Sequence, residues 1–279
     1  MFTTLVSVAD LAAHLDDPQW LVFDCRHDLA DTDSGPRAYA EAHIPGARFV
    51  HLDRDLAGAT TGRNGRHPLP DPGRCSARLA ALGMSADKQA VAYDASGGYY
   101  AARLWWTLRW MGHEAAAVLD GGWDAWLKAG NPVTAERPRV SAGTFTGRRR
   151  ESMAVDARFV EANVGRPDVH VIDARSAERF RGENETLDPV AGHIPGALNR
   201  FFKHNLDAAG SFKPAAELRR EFTQLLGGAE PGQVVHQCGS GVTACHNLLA
   251  MEIAGLAGSK LYPGSWSEWC SDPSRPVAR

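Results

Sequence analysis

The chain has 279 residues, of which 44% are hydrophobic and 23% are charged. This composition is typical of a globular protein with a buried core, and the length accommodates two ordinary domains. The net charge of −3 gives no indication of a nucleic-acid or membrane partner. The sequence has no apolar run of transmembrane length, and its first residues do not resemble a signal peptide. We therefore expect a cytoplasmic protein.

The cysteine pattern bears on redox and metal chemistry. The chain has an odd number of cysteines and no Cys-x-x-Cys pair; they are Cys25, Cys75, Cys238, Cys245 and Cys270. This pattern argues against a disulfide framework and against a zinc site. We expect neither a metal nor another cofactor.

Four sequence blocks of the first half recur in the second half in the same order. The first set is WLVFDCR (20–26), EAHIPGA (41–47), AVAYDASGGYYAARL (90–104) and VLDGGWDAW (118–126). The second set is HVIDAR (170–175), AGHIPGA (191–197), VVHQCGSGVTACHNL (234–248) and LYPGSWSEW (261–269). Equivalent positions are 149 (173 − 24), 150 (193 − 43) and 144 (238 − 94) residues apart. The repeat predicts two homologous domains, 1–130 and 153–279, joined by a Pro-, Gly- and Arg-rich linker, 131–152.

Within each half the blocks predict alternating strands and helices. VFDCR and VIDAR are short apolar strands, and each HIPGA block is a turn in which proline fixes φ and glycine follows. AVAYD and VVHQC are buried strands, each followed by a helix. Alternation of this kind indicates an α/β fold in which each domain is a mostly parallel sheet flanked by helices.

The stretch from Val234 to Asn247 carries the strongest chemical signal. It reads as a β-branched strand, a glycine-bearing loop and a helix that begins near Thr243, so that Cys238 lies at the carboxyl end of a strand. Backbone N–H groups of such a loop stabilise an anion, which favours a reactive thiol over an ordinary buried cysteine. We expect the donor to contact the loop residues Gly239, Gly241, Val242, Thr243 and Ala244.

These blocks resemble the rhodanese-type sulfurtransferases, specifically the two-domain thiosulfate and 3-mercaptopyruvate sulfurtransferases. The resemblance covers essentially the whole chain and implies two tandem rhodanese-like domains. The loop from Cys238 to Ala244 is similar to the mercaptopyruvate type, because the thiosulfate type usually has basic residues where Gly239 and Ser240 stand. Asp94 stands where the second half has Cys238, which implies that the N-terminal domain is catalytically inactive.

The resemblance implies a two-stage reaction. Cys238 takes a sulfur atom from a small-molecule donor, 3-mercaptopyruvate or alternatively thiosulfate, and forms a persulfide. Cyanide, a thiol or a thioredoxin-like protein then accepts the outer sulfur. Stabilisation of the negative charge by the loop N–H groups fits both stages.

The resemblance also assigns roles outside the loop. Arg179 matches the family's arginine for the substrate carboxylate, although a surface ion pair with Glu178 or Glu183 is the alternative. Mercaptopyruvate enzymes often carry a further arginine nine residues later, where this chain has Asp188.

A serine, histidine and aspartate are proposed in this family to protonate the leaving enolate. The serine corresponds to Ser240, and the resemblance points to His43 with Asp33 or Asp31. His193 occupies the same turn in the second half, so a structural role for both histidines stays open.

Two other functions are compatible with a fold of this kind. Cys-x5-Arg phosphatases grip phosphate with an arginine six residues after the cysteine, but that position here is Ala244. A non-enzymatic sulfur-relay or interaction module often lacks the cysteine, which the second half keeps. We therefore favour the sulfurtransferase.

Overall fold

A computed structural model describes the whole chain, residues 1–279. The chain divides into two compact units. Unit 1 comprises Met1–Gly58, Pro70–Arg150 and Ala208–Ser211, and unit 2 comprises Ala59–Leu69, Glu151–Asp207 and Phe212–Arg279. Each half of the chain therefore contributes a short segment to the other unit. A single boundary at a linker does not describe this division. The predicted domain limits, 1–130 and 153–279, stay a prediction.

Unit 1 is built on a five-stranded sheet. Its strands are β1 (Leu5–Val6), β2 (Trp20–Asp24), β3 (Arg48–Phe49), β4 (Gln89–Tyr93) and β5 (Ala116–Leu119). They lie in the order β1-β5-β4-β2-β3, and all neighbours are parallel. The helices are α1 (Val8–Ala13), α2 (Ser34–Glu41), α3 (Leu52–Asp55), α4 (Pro72–Ala81), α5 (Tyr99–Trp110) and α6 (Gly122–Lys128).

Unit 2 repeats this plan with four strands. They are β6 (His170–Asp173), β7 (Leu198–Asn199), β8 (Val234–Gln237) and β9 (Lys260–Leu261), in the parallel order β7-β6-β8-β9. The helices are α7 (Ala157–Ala162), α8 (Ala177–Phe180), α9 (Ala215–Leu226), α10 (Thr243–Ile253) and α11 (Ser265–Trp269). Three 3₁₀ turns are Glu151–Met153, Phe202–Asn205 and Pro231–Gln233. The predicted fold class, α/β with two parallel sheets flanked by helices, is confirmed.

Both sheets bury apolar side chains from strands and helices. In unit 1, Val22, Val91 and Leu119 pack with Leu11 of α1. In unit 2, Val171 and Val235 pack with Val160 of α7 and with Trp266 and Trp269 of α11. None of the helices combines the length and the apolar character needed to cross a lipid bilayer.

The Asp-x-Arg pattern forms one buried ion pair in each unit. Arg26 binds Asp24 through two nitrogens, and the carbonyl of Ala42 accepts from the same guanidinium. Arg175 binds Asp173 and the carbonyl of Gly192 in the same way. Because a buried carboxylate needs a charged partner, the arginine holds the HIPGA turn against the sheet in both halves.

The segment predicted as a linker packs along unit 1 up to Arg150. Thr134 pairs with His43 through two backbone hydrogen bonds, and the N–H of Gly143 donates to Ala80. Phe145 is 6% exposed, and its N–H donates to Met84. This stretch is irregular because proline and glycine interrupt it, yet several of its backbone N–H groups find partners.

Candidate active site

The candidate nucleophile lies where β8 ends. Gly241 adopts φ = 78°, which a glycine tolerates without steric cost, and this turn brings its N–H to Sγ of Cys238 at 3.1 Å. Helix α10 begins two residues later, so the sulfur also faces the amino end of a helix of 11 residues. Both features stabilise negative charge on the sulfur.

The loop around Cys238 is fixed by the first three residues of α11. The N–H of Cys238 donates to Oγ of Ser265 at 3.1 Å, and the N–H of Trp266 donates back to the Cys238 carbonyl at 3.0 Å. The N–H of Ser267 donates to the carbonyl of Gly239 at 2.9 Å. Cys238 is only 2% exposed. The thiol is therefore recessed, and its position is set by backbone contacts before any donor binds.

The rest of the loop contributes mainly backbone. Ser240 and Val242 are buried, and Ala244 is fully buried on α10. Val242 is the N-cap residue of α10, and Thr243 is its first residue and half-buried. The neutral side chains leave the charge around the sulfur to groups from outside the loop.

Ser240 meets a histidine that the sequence reading did not single out. Nδ1 of His67 lies 2.7 Å from Oγ of Ser240, and both residues are buried. Residues 59–69 reach this loop because Gly65 packs against the backbone of Gly264, where a β-carbon would stand 2.7 Å from the carbonyl oxygen. The structure thus provides a titratable group one hydrogen bond from the loop serine.

Arg179 is held by two acids rather than by the surface partners considered from the sequence. Its Nη2 donates to Oε1 of Glu185 at 2.8 Å and to Oδ2 of Asp188 at 3.3 Å. The side chains of both acids are almost wholly buried, whereas that of Arg179 is 20% exposed. Burial acts to raise the pKa of Glu185, but the N–H of Leu187 and the Arg179 guanidinium bring this pKa below its usual value. Glu185 is therefore a fixed anion that orients Arg179.

His43 and Asp33, for which the resemblance implies a relay, each have partners of their own. Nδ1 and Nε2 of His43 lie 2.7 Å from the carbonyl of Tyr39 and 3.1 Å from that of Glu136, so backbone groups occupy both ring nitrogens. Asp33 is exposed and pairs with Arg54 at 3.2 Å. The alternative, Asp31, is exposed and pairs with Arg37. Since His43 is fully buried, the geometry gives it a structural role in the turn.

The histidine of the second turn repeats that structural arrangement. Nδ1 of His193 lies 2.8 Å from the carbonyl of Phe180, and its ring stacks on the Phe180 ring with centroids 3.8 Å apart. His43 stacks on Tyr39 at 4.0 Å in the same manner. The repeat of the ring stack explains why both turns carry a histidine.

The equivalent loop of unit 1 shows what this backbone arrangement binds. The carboxylate of Asp94 accepts four backbone hydrogen bonds of 2.7–2.9 Å from Ser96, Gly98, Tyr100 and Ala101. Burial raises the pKa of Asp94, and these N–H groups act against that rise. The loop is thus an anion cup that unit 1 fills with its own carboxylate, which leaves no sulfur nucleophile there.

The residues missed from the sequence, Arg66 and His67, lie between the second and third matched blocks of the first half. The separation of equivalent positions falls from 150 at His43 to 144 at Asp94, so the first half has six additional residues (150 − 144) in between. An insertion confined to one copy is free to take a function of its own. This change in spacing was the sequence signal that could have pointed to Arg66 and His67.

Comparison with known proteins gives a consistent result. The model of the rhodanese-like domain matches residues 7–129 and 156–272. A probable 3-mercaptopyruvate sulfurtransferase of Pseudomonas aeruginosa is 48% identical over 98% of this chain and 97% of its own. A putative thiosulfate sulfurtransferase, SseB of Mycobacterium tuberculosis, is 37% identical over 99% of this chain and 96% of its own. The crystal structure of SseA from Escherichia coli, a 3-mercaptopyruvate enzyme, has a TM-score of 0.84 and 30% identity, covering 95% of this chain and 99% of its own.

Proposed function

Because this chain belongs to the rhodanese family of sulfurtransferases, we propose that it carries sulfur from 3-mercaptopyruvate to an acceptor through a persulfide on Cys238. The observation that carries this proposal is the hydrogen bond from the N–H of Gly241 to Sγ of Cys238, 3.1 Å long, at the amino end of α10. This contact stabilises the thiolate before transfer and the terminal sulfur anion after it.

The first stage makes one bond and breaks one. The Cys238 thiolate attacks the donor sulfur, a sulfur–sulfur bond forms, and the carbon–sulfur bond of mercaptopyruvate breaks. The electron pair of that bond leaves with the carbon as the enolate of pyruvate. Arg179 holds the donor carboxylate during this step, since a guanidinium anchored by Glu185 and Asp188 is fixed in advance.

The enolate needs a proton to become pyruvate. We assign this proton transfer to His67 through Ser240, because Nδ1 and Oγ are 2.7 Å apart and the serine lies in the loop that holds Cys238. His43 and Asp33, which the family resemblance pointed to, have other partners. An imidazole ring can both donate and accept a proton, which this transfer requires.

The second stage returns the cysteine to its starting state. A nucleophile, which is cyanide in an assay and a thiol or thioredoxin-like protein in the cell, attacks the outer sulfur and displaces the Cys238 thiolate. Sulfur, protons and charge balance without an oxidant. We place this exchange in the cytoplasm, where thiol acceptors are kept reduced.

Thiosulfate is the alternative donor, as in the similar M. tuberculosis protein named for it. Gly239 and Ser240 bring no positive charge to the loop, which favours mercaptopyruvate, whose carboxylate lies further from the reacting sulfur than the charge of thiosulfate does. The P. aeruginosa relative, named for mercaptopyruvate, has the higher identity.

The test is cyanide-dependent thiocyanate formation with the two donors side by side. We expect a higher kcat/KM with 3-mercaptopyruvate, and we expect Cys238→Ser to abolish turnover with both donors. Cys270→Ser, which removes another buried free cysteine of unit 2, is the matched control and keeps turnover. Turnover by Cys238→Ser near that of the wild type would refute the mechanism, and a preference for thiosulfate would refute the choice of donor.

A further inference from the structure

Two guanidinium groups converge on the glycine that follows Cys238. A β-carbon built on Gly239 would lie 2.8 Å from Nη2 of Arg66, 3.6 Å from Nη2 of Arg179 and 3.7 Å from its Nη1. Any larger residue at 239 would fill the space in front of both groups. The absence of a side chain keeps two cations within reach of one point beside the nucleophile.

Hydrogen bonds hold the backbone of Arg66 and its neighbour His67 in place. Its N–H donates to Oγ of Ser267 at 3.1 Å, and the N–H of Ser267 donates to the Gly239 carbonyl. The next residue, His67, bonds Ser240. The Arg66 backbone is therefore tied to the same loop from both sides.

Asp188 fixes the Arg66 side chain. Nη1 of Arg66 pairs with Oδ1 of Asp188, whose other oxygen, Oδ2, accepts from Arg179 at 3.3 Å. The Asp188 side chain is 2% exposed and that of Arg66 is 33% exposed. One buried carboxylate thus bridges the two guanidinium groups, each of which keeps a nitrogen turned toward Gly239.

We propose that Arg66 is a second binding group for the donor's carboxylate, acting with Arg179, and that Asp188 positions both arginines. This inference rests on the proposed function and names the residues that recognise a 2-oxo acid. A cavity of about 500 Å³, lined in part by Arg66, His67, Asp188 and Ser267, opens beside Arg66.

The test compares two reagents that differ in the carboxylate. Both 3-bromopyruvate and bromoacetone are α-bromoketones that alkylate a thiolate with loss of bromide, and only the first is an anion. The rate of modification of Cys238 by each, followed by peptide mass spectrometry, gives a ratio that reports carboxylate recognition without any sulfur transfer. We expect Arg66→Met to lower the bromopyruvate-to-bromoacetone ratio about tenfold, the scale of a charged hydrogen bond.

Arg63→Met is the matched control. It removes the same charge from the same segment, but Arg63 is exposed, and we expect an unchanged ratio. If Arg66→Met leaves the ratio unchanged, or slows both reagents equally, the inference is overturned. Either result is separate from the proposed function, which is tested by the comparison of the two donors and by Cys238→Ser.

The test of Asp188 has to measure the positioning of the two arginines rather than the folding of the protein. Because it acts through the arginines, we expect Asp188→Asn to raise KM for mercaptopyruvate about tenfold with little change in kcat. In the double variant Arg66→Met/Asp188→Asn the increase in KM, expressed as a free energy, should be much smaller than the sum of the two single increases. Additive effects, or a loss confined to kcat, would overturn the positioning role.

Discussion

Nδ1 of His67 lies 2.7 Å from Oγ of Ser240, across 173 residues of sequence. Ser240 is two residues from Cys238 and His67 follows Arg66, so one short segment brings both a proton carrier and a cation to the loop. The importance of this contact depends on which donor is used. Once its sulfur has been transferred, mercaptopyruvate is released as the enolate of pyruvate, which needs a proton. Thiosulfate is released as sulfite, a stable anion that needs none.

We expect His67→Gln to lower kcat with mercaptopyruvate by about a hundredfold, the usual range for loss of a general acid. Persulfide formation on Cys238 from thiosulfate should change much less, because no proton has to be delivered to the leaving group. Single-turnover measurements with each donor give both numbers. Equal slowing with the two donors would mean that His67 only supports the loop.

His43→Gln is the comparison for that experiment. Both ring nitrogens of His43 lie near backbone carbonyls, so we expect a lower unfolding temperature and no difference between donors. A donor-specific loss in His43→Gln would restore His43 to the proton relay.

Gly241 is constrained by both conformation and space. Its φ is 78°, and a β-carbon would overlap the carbonyl oxygen of Pro263. We expect Gly241→Ala to cost about 3 kcal/mol of unfolding free energy or more, since strain and a clash add. Gly210→Ala, at φ = 84° with nothing within 4 Å, should cost only the strain, about 1 kcal/mol. Urea unfolding of both variants checks the difference; equal losses would show that the close approach does not matter.

The loop of unit 1 that contains Asp94 offers a stability test of the anion cup. Asp94→Ala leaves four N–H donors, three of them in buried hydrogen bonds, without their acceptor, and we expect a loss of about 3 kcal/mol or more. Asp94→Asn keeps one acceptor oxygen and should lose less. Asp87→Ala, at an exposed acid, is the control. Thermal unfolding measures all three, and an Asp94→Ala variant as stable as the control would contradict the cup.

The sequence predicted the fold because both halves share one pattern of apolar strands, glycine turns and helices, and that pattern is local. Helix α10 begins at Thr243 as predicted and ends before Gly255, which adopts φ = 69°. The site was harder, because Arg66 and His67 reach the loop through contacts between distant parts of the chain. Local pattern carries no information on such pairings, and the turn histidine His43, in a repeated block, was the more visible choice.

His236, on the strand that ends at Cys238, provides a pH-dependent signature of unit 2. The residue is fully buried, Nε2 lies 3.0 Å from Sδ of Met251, and Nδ1 has no hydrogen-bond partner. Burial lowers its pKa from 6.5 to about 3. In the unfolded chain the ring takes up a proton below about pH 6.5, whereas in the folded protein it stays neutral. The stabilising contribution is therefore complete above that pH and is lost as the pH falls toward 3.

We expect this histidine to contribute roughly 1 kcal/mol per pH unit to the fall in unfolding free energy between about pH 6 and about pH 4. His236→Gln removes the titrating ring, so its urea midpoint should depend less on pH than that of the wild type. His170→Gln changes a partly exposed histidine on the neighbouring strand β6 and should keep the wild-type slope. Parallel slopes for His236→Gln and the wild type would mean that His236 is protonated in the folded protein, and hence that water reaches the strand beneath the nucleophile.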